Sequence, residues 1–183
     1  GTGSAVCRHA AFPIALCALW AAGLSSLVAS PAQPSATPSQ YLGWSTLCLD
    51  NGLVSLQVLP DIGGRIIQFK LGPKEFLWVN RQLAGQLPPA HGLAADGGWF
   101  NVGGDKLWPA PQGWDNDQQW PGPPDAVLDG QPYSLETIRT KPGETALRLT
   151  SGPDPRSGIQ FTRVIRLGTD TTRVRFEATM KNI

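Results

Sequence analysis

The residues best suited to chemistry in this sequence lie in one tryptophan-rich stretch, residues 97–120. Four of the seven tryptophans fall there, and glycine pairs and prolines separate them, so that neither a helical nor a strand period fits. We therefore predict a long ordered loop, and such loops inside compact domains are often functional. Flat indole faces beside directional polar groups suit a sugar, which presents C–H faces and hydroxyl edges. We expect the loop to bind a mono- or oligosaccharide through Trp99, Asn101, Asp105, Lys106, Trp108, Trp114 and Trp120.

Acid–base chemistry on such a ligand would need further groups. Opening an aldose ring requires an acid and a base on opposite sides of the anomeric centre, and Asp105 with Lys106 or His91 are the catalytic candidates. The structural alternatives are that Asp105 caps the preceding glycine turn and that Lys106 and His91 are solvated. Arg65 is a further candidate, either as a bidentate donor to a ligand or as one half of a structural salt bridge. Whether the protein is an enzyme stays open at this stage.

We expect no metal and no cofactor. The glycine pairs at 97–98 and 103–104 lack the strand–loop–helix context of a phosphate loop. Residues 115–117 resemble the start of a calcium loop, but the glycine at its sixth position and the glutamate at its twelfth are missing.

The first 40 residues predict two segments outside the fold. Arg8 and His9 precede an uncharged run over 10–28 and then small residues, which is the layout of a signal peptide over 1–32; the alternative is an uncleaved membrane anchor. Residues 33–40 predict a Pro/Ser/Thr linker. Without the single arginine of residues 1–32, the chain has 14 basic and 14 acidic side chains. The signal-peptide layout leads us to expect a secreted or periplasmic protein. Because the charges balance, we expect it to bind neither nucleic acid nor, after cleavage, a membrane.

Residues 41–183 predict an antiparallel β-sandwich, because short alternating runs are separated by turn residues and no helical period is present. The expected strands cover 43–49, 53–59, 65–71, 75–79, 133–140, 145–151, 159–167 and 172–183. In the last strand, one apolar and one polar set of residues alternate, and we expect the polar set to form a solvated surface. Since the chain ends on a strand, we expect it to be the N-terminal part of a larger domain.

Several motifs resemble known families. Residues 59–66, followed by 75–78, resemble the opening of galactose mutarotase-like domains. The run 103–111 resembles, more specifically, the uncharacterised bacterial family catalogued as domain of unknown function 4380, as do 120–124, 129–133 and 151–160.

The resemblance implies a large β-sandwich with a carbohydrate-binding concave face. It also implies a chain that continues for roughly another hundred residues or more, about the length of a further domain part. The histidines and late glutamate of true aldose epimerases have no recognisable counterparts here. Three hypotheses follow. The protein binds carbohydrate, or it is a sugar epimerase or other carbohydrate-active enzyme completed by a C-terminal part, or it is a non-catalytic structural envelope protein whose tryptophans are core residues.

Overall fold

The computed structural model describes residues 33–89, 99–109, 125–138 and 140–183. The predicted signal peptide, His91, Trp114, Trp120 and residues 115–117 lie outside the described residues. The described chain is all-β, as predicted, with two antiparallel sheets and one short 3₁₀ helix, Arg81–Leu83. No helix among the described residues is long and apolar enough to cross a membrane.

The first sheet has the strand order β1-β2-β3-β4-β5, and the second has the order β6-β7-β8-β9. The strands of the first sheet are β1 Ser35–Tyr41, β2 Trp44–Asp50, β3 Val54–Leu59, β4 Arg65–Leu71 and β5 Lys74–Glu75. Those of the second are β6 Ser134–Ile138, β7 Glu144–Thr150, β8 Ile159–Gly168 and β9 Val174–Asn182. Within each sheet, neighbouring strands follow one another in the chain.

Two strands differ from the sequence prediction. The segment expected as a linker forms β1, which pairs along its whole length with β2. It needs no apolar pattern because it is an edge strand, where Pro38 is also tolerated. Ala36, near its start, and Tyr41, at its end, are its residues in contact with buried clusters. The strand expected over 75–79 is reduced to β5, because the chain then leaves the sheet and Val79 forms a bridge with Gly103.

The main core lies between the two sheets. It joins residues of β2, β3 and β4 to residues of β7 and β8, and Leu128 and Tyr133 complete it. A second core covers the opposite face of the first sheet, where Trp44 and Ile67 meet Phe100 and Val102. Since β3 is covered on both faces, all six of its residues are buried. The segment 99–109 is therefore packed against the first sheet as a third layer.

The inner face of β9 is only partly covered. Phe176 is opposite Ile165 and Met180 is opposite Phe161, so both are on the face of the second sheet that carries the core. They are nevertheless 52% and 60% exposed, because the first sheet does not extend over them. A cavity of about 380 Å³ opens at this border, between β4 and β9.

Candidate functional site

The segment 99–109 is attached to the start of β4 by a pair of reciprocal hydrogen bonds. The Asp105 amide donates to the Ile66 carbonyl at 2.9 Å, and the Ile66 amide donates to the Asp105 carboxylate at 2.5 Å. A third bond, from the Gly104 amide to the Trp78 carbonyl at 2.9 Å, ties the segment to the neighbouring chain. These bonds fix the backbone that carries Lys106 and Trp108.

A β-bulge in β4 lies at this attachment point. Gln68 is opposite Gln57 and Ile66 is opposite Val58, so Ile67 is the extra residue. Ile66 contributes to the main core and Ile67 to the second core. Bulges often occur next to functional sites because they redirect side chains.

The glycine pair 103–104 allows the close approach. Both residues have positive φ, 92° and 75°, a region that costs other residues about 1–2 kcal/mol. A Cβ at Gly104 would lie 2.5 Å from the Ile66 carbonyl oxygen, and one at Gly103 would collide with the Trp78 carbonyl oxygen. Glycine is therefore required by space as well as by conformation.

Asp105 connects the segment to the second sheet. Its carboxylate forms an ion pair with Arg163, a buried residue on the inner face of β8. Arg163 also donates to the Gly64 carbonyl at 3.2 Å. Asp105 therefore stabilises the contact between the segment, β4 and β8, whereas the Asn101 side chain accepts the Gly103 amide of the glycine turn.

Asp129 is the centre of the candidate site. One carboxylate oxygen accepts a hydrogen bond from the Trp108 indole at 3.1 Å, and the other accepts one from the Trp99 indole at 3.4 Å. Arg65 forms an ion pair with the same carboxylate at 2.9 Å. Asp129 and Arg65 are both buried, and their charges cancel. The two indoles are held side by side above this ion pair.

Trp99, Lys106 and Trp108 form the half-buried upper layer of this site, which we call the tryptophan–lysine cluster. The two indole rings are 5.3 Å apart and tilted by 57°. The Lys106 ammonium lies 4.9 Å from the centre of the Trp99 ring and 6.0 Å from that of Trp108. Burial, with the nearby Arg65 guanidinium adding to its effect, lowers the pKa of Lys106 below its ordinary value.

The loop that carries Asp129 is fixed from both ends. Asp125 accepts hydrogen bonds from the Val127 and Leu128 amides, each at 2.8 Å, and the Tyr133 hydroxyl donates to the Leu128 carbonyl at 2.8 Å. Burial raises the pKa of Asp125, and the negative charge of nearby Asp154 acts in the same direction. Asp129 is thus presented from a rigid turn.

Some of the predicted site residues lie in the cluster, and others make structural contacts next to it. The structure brings Trp99, Asp105, Lys106 and Trp108 onto one short segment, with the side chains of Lys106 and Trp108 in the cluster and that of Asp105 directed to Arg163. The Asn101 side chain accepts a bond from the Gly103 amide at 3.1 Å and so shapes the turn.

Arg65 lies beneath the site and not at a surface that a ligand could touch. It is 1% exposed, and it also donates to the Ile62, Gly103 and Asp129 carbonyls. Arg65 therefore forms a structural salt bridge, which was the second alternative, and it positions Asp129.

Sequence reasoning missed Asp129 as a site residue. An Asp-Gly dipeptide is typical of a turn, and its separation from Trp108 gives no local signal of contact. A buried partner for two indole N–H groups could have been expected in general, since buried Trp N–H groups usually find one. The sequence offers no way to choose which of the acids it is.

Among the described residues, no group of three or more histidine, cysteine, aspartate or glutamate side chains could hold a metal ion.

The protein is thus an all-β chain that carries a half-buried tryptophan–lysine cluster beside its first sheet. The comparison with protein families identifies the family to which it belongs. The chain belongs to the family described as Domain of unknown function (DUF4380), whose model matches residues 45–183. No curated protein and no solved structure matches the chain.

Proposed function

We propose that this protein binds carbohydrate at the tryptophan–lysine cluster. The observation that supports the proposal is the shared hydrogen bonding of the Trp99 and Trp108 indoles to one buried carboxylate, Asp129. Indoles whose N–H groups point into the protein present their apolar surface outward. A sugar ring can pack its C–H face on such a surface while its hydroxyls meet polar neighbours.

The fixed geometry favours recognition over a purely structural role. Trp99 and Trp108 are only half buried, whereas Trp44, which belongs to the second core, is 2% exposed. Preorganised aromatic groups lose little conformational entropy on binding, and this is a general source of affinity.

We extend the proposal to a galactose mutarotase-like architecture and to a secreted or periplasmic location. The motif that carries the first resemblance, residues 59–66, contains the turn that seats Arg65 beneath the indoles. An acid–base role for Asp105 fits less well, because its carboxylate is engaged by the Ile66 amide and by Arg163.

The proposal predicts saturable binding of at least one sugar from a panel of neutral and acidic mono- and oligosaccharides, measured by titration calorimetry. Trp108→Ala is expected to weaken that binding at least tenfold, about 1.4 kcal/mol, because half of the indole surface is removed. The matched control is Trp78→Ala, since Trp78 is 62% exposed and has no ring contact with either cluster tryptophan in the described structure.

Circular dichroism melting would show that both variants remain folded. Absence of binding across the panel by folded wild-type protein would contradict the proposal, as would equal losses in the two variants.

A further inference from the structure

Of the charged side chains around the tryptophan–lysine cluster, some form ion pairs and one does not. Asp129 is paired with Arg65 and Asp105 with Arg163. Lys106 forms no ion pair with any carboxylate of the described residues, and it has no hydrogen-bond partner among them. The five charged groups therefore carry one net positive charge, which belongs to Lys106.

Burial and the Arg65 guanidinium disfavour the charged form of Lys106 more than the Asp129 and Asp105 carboxylates favour it, so its pKa is lowered. The ammonium is half buried against Trp99, and the Arg65 guanidinium is close enough to lower its pKa. The indole faces offer a cation–π contact, which compensates an ammonium only in part. A half-buried cation of this kind is stabilised by an incoming anion.

The two nearby carboxylates do not oppose an anion. Each is paired with a buried arginine. The Asp105 oxygens are engaged by the Ile66 amide and Arg163, and the Asp129 oxygens by Arg65 and, from beneath the cluster, by the two indole N–H groups. Lys106 is the one member of this charged set that has no ion-pair partner among the described residues.

We propose that the ligand of this site is an acidic sugar, whose carboxylate, sulfate or phosphate group pairs with the Lys106 ammonium. The inference rests on the proposed function, because it assumes that a sugar packs on Trp99 and Trp108. It adds a charge requirement that a neutral sugar does not meet.

The test compares related sugars that differ in charge. Glucose, glucuronate, glucose 6-sulfate and glucose 6-phosphate, with galactose and galacturonate as a second series, are titrated into the protein at low and high ionic strength. At least one acidic sugar is expected to bind at least tenfold more tightly than its neutral counterpart, and salt should reduce that ratio. The carboxylate, sulfate and phosphate members of the series identify which anion the site accepts.

Variants at Lys106 locate the effect. Lys106→Met is expected to bring the ratio of acidic to neutral affinity close to one, and Lys106→Arg to keep it above one. The matched control is Lys74→Met, because the Lys74 ammonium lies 5.0 Å from the centre of the Phe76 ring, outside the cluster. Its ratio should equal that of the wild type.

The pH dependence has a defined sign. An anion favours the charged form of Lys106, so the pKa of Lys106 is higher in the complex than in the free protein. The affinity for the acidic sugar should therefore fall as pH rises through the lowered pKa of free Lys106, below 10.5. Lys106→Met should show no such fall.

The outcomes separate the two proposals. If neutral and acidic sugars bind equally, and Trp108→Ala weakens both, the acidic-sugar inference is wrong and carbohydrate binding stands. If the preference for acidic sugars survives in Lys106→Met, the anion binds elsewhere and the inference is also wrong. If no sugar binds to folded protein, both proposals are wrong.

Discussion

At the scale of single residues, the site depends on one buried ion pair more than on the groups a ligand would touch. Asp129 accepts both indole N–H groups and neutralises Arg65, which is buried in turn among three backbone carbonyls. A charge in such a position is tolerated only when it is paired and hydrogen-bonded. The orientation of the tryptophans is thus coupled to the stability of the fold.

Asp129→Asn tests this coupling. The amide oxygen can still accept an indole bond, but Arg65 is left as an uncompensated buried charge, which typically costs about 3–5 kcal/mol. We expect a loss of that size in the free energy of unfolding, measured in urea, together with weaker sugar binding. Asp61→Asn is the control, because Asp61 is exposed and should change stability by no more than about 0.5 kcal/mol. Equal and small losses in the two variants would contradict the role of the ion pair.

The sequence pointed to the residues of the upper layer and to Arg65, but not to Asp129 as the partner of Arg65. Trp99, Lys106 and Trp108 are close together in the chain, so their spacing was sufficient to predict that their side chains would lie near one another, as they do. Asp129 comes from a different loop, and Arg65 from a strand, so only the three-dimensional arrangement could connect them. Long-range pairing of charges carries no local sequence signal.

At the scale of elements, the segment 99–109 is placed by the β-bulge of β4 and by two glycines. The glycines let the segment approach the Ile66 carbonyl and the Trp78 carbonyl, and Asp105 closes the contact with hydrogen bonds to Ile66. Leu107 then packs against the main core. Backbone contacts therefore position the cluster as much as side-chain contacts do.

Gly104→Ala is expected to displace the segment. The added Cβ meets the Ile66 carbonyl oxygen, and the positive φ of 75° is strained for alanine, which together cost about 2–5 kcal/mol. Gly72→Ala is a matched control, since Gly72 also has positive φ, 56°, but a Cβ added there would have no atom within 4 Å. It should cost about 1–2 kcal/mol from backbone strain alone.

Chemical denaturation and sugar titration would be carried out on both glycine variants. Gly104→Ala should lose binding, and Gly72→Ala should keep it. Indistinguishable stability and binding in the two variants would show that close packing at Gly104 does not position the site.

Alternation and turn residues predicted most strands to within one or two residues, and β4 at both ends. The two differences have physical causes. β1 is an edge strand whose composition is that of a linker, because pairing along one edge requires backbone hydrogen bonds and few buried side chains. β5 ends early because the Val79–Gly103 bridge competes for the chain.

At the scale of the whole molecule, the two sheets of the described residues are covered to different extents. The first sheet is covered on both faces, by the second sheet and by the segment that carries the cluster. The inner face of β9 is uncovered at Phe176 and Met180. The predicted alternation of β9 is confirmed in its register, but the sequence could not show that its apolar side would lack a cover, since that depends on the extent of the opposite sheet.

The most direct test of the carbohydrate proposal is to follow the indole N–H resonances of ¹⁵N-labelled protein by NMR during titration with the sugar series. The Trp99 and Trp108 signals should move together and saturate with one sugar, because both N–H groups share Asp129. The Trp44 signal should stay in place, since its N–H donates to the Gln86 carbonyl from the second core. Trp99 and Trp108 signals that no sugar moves, or that move no more than that of Trp44, would contradict a carbohydrate site at the cluster.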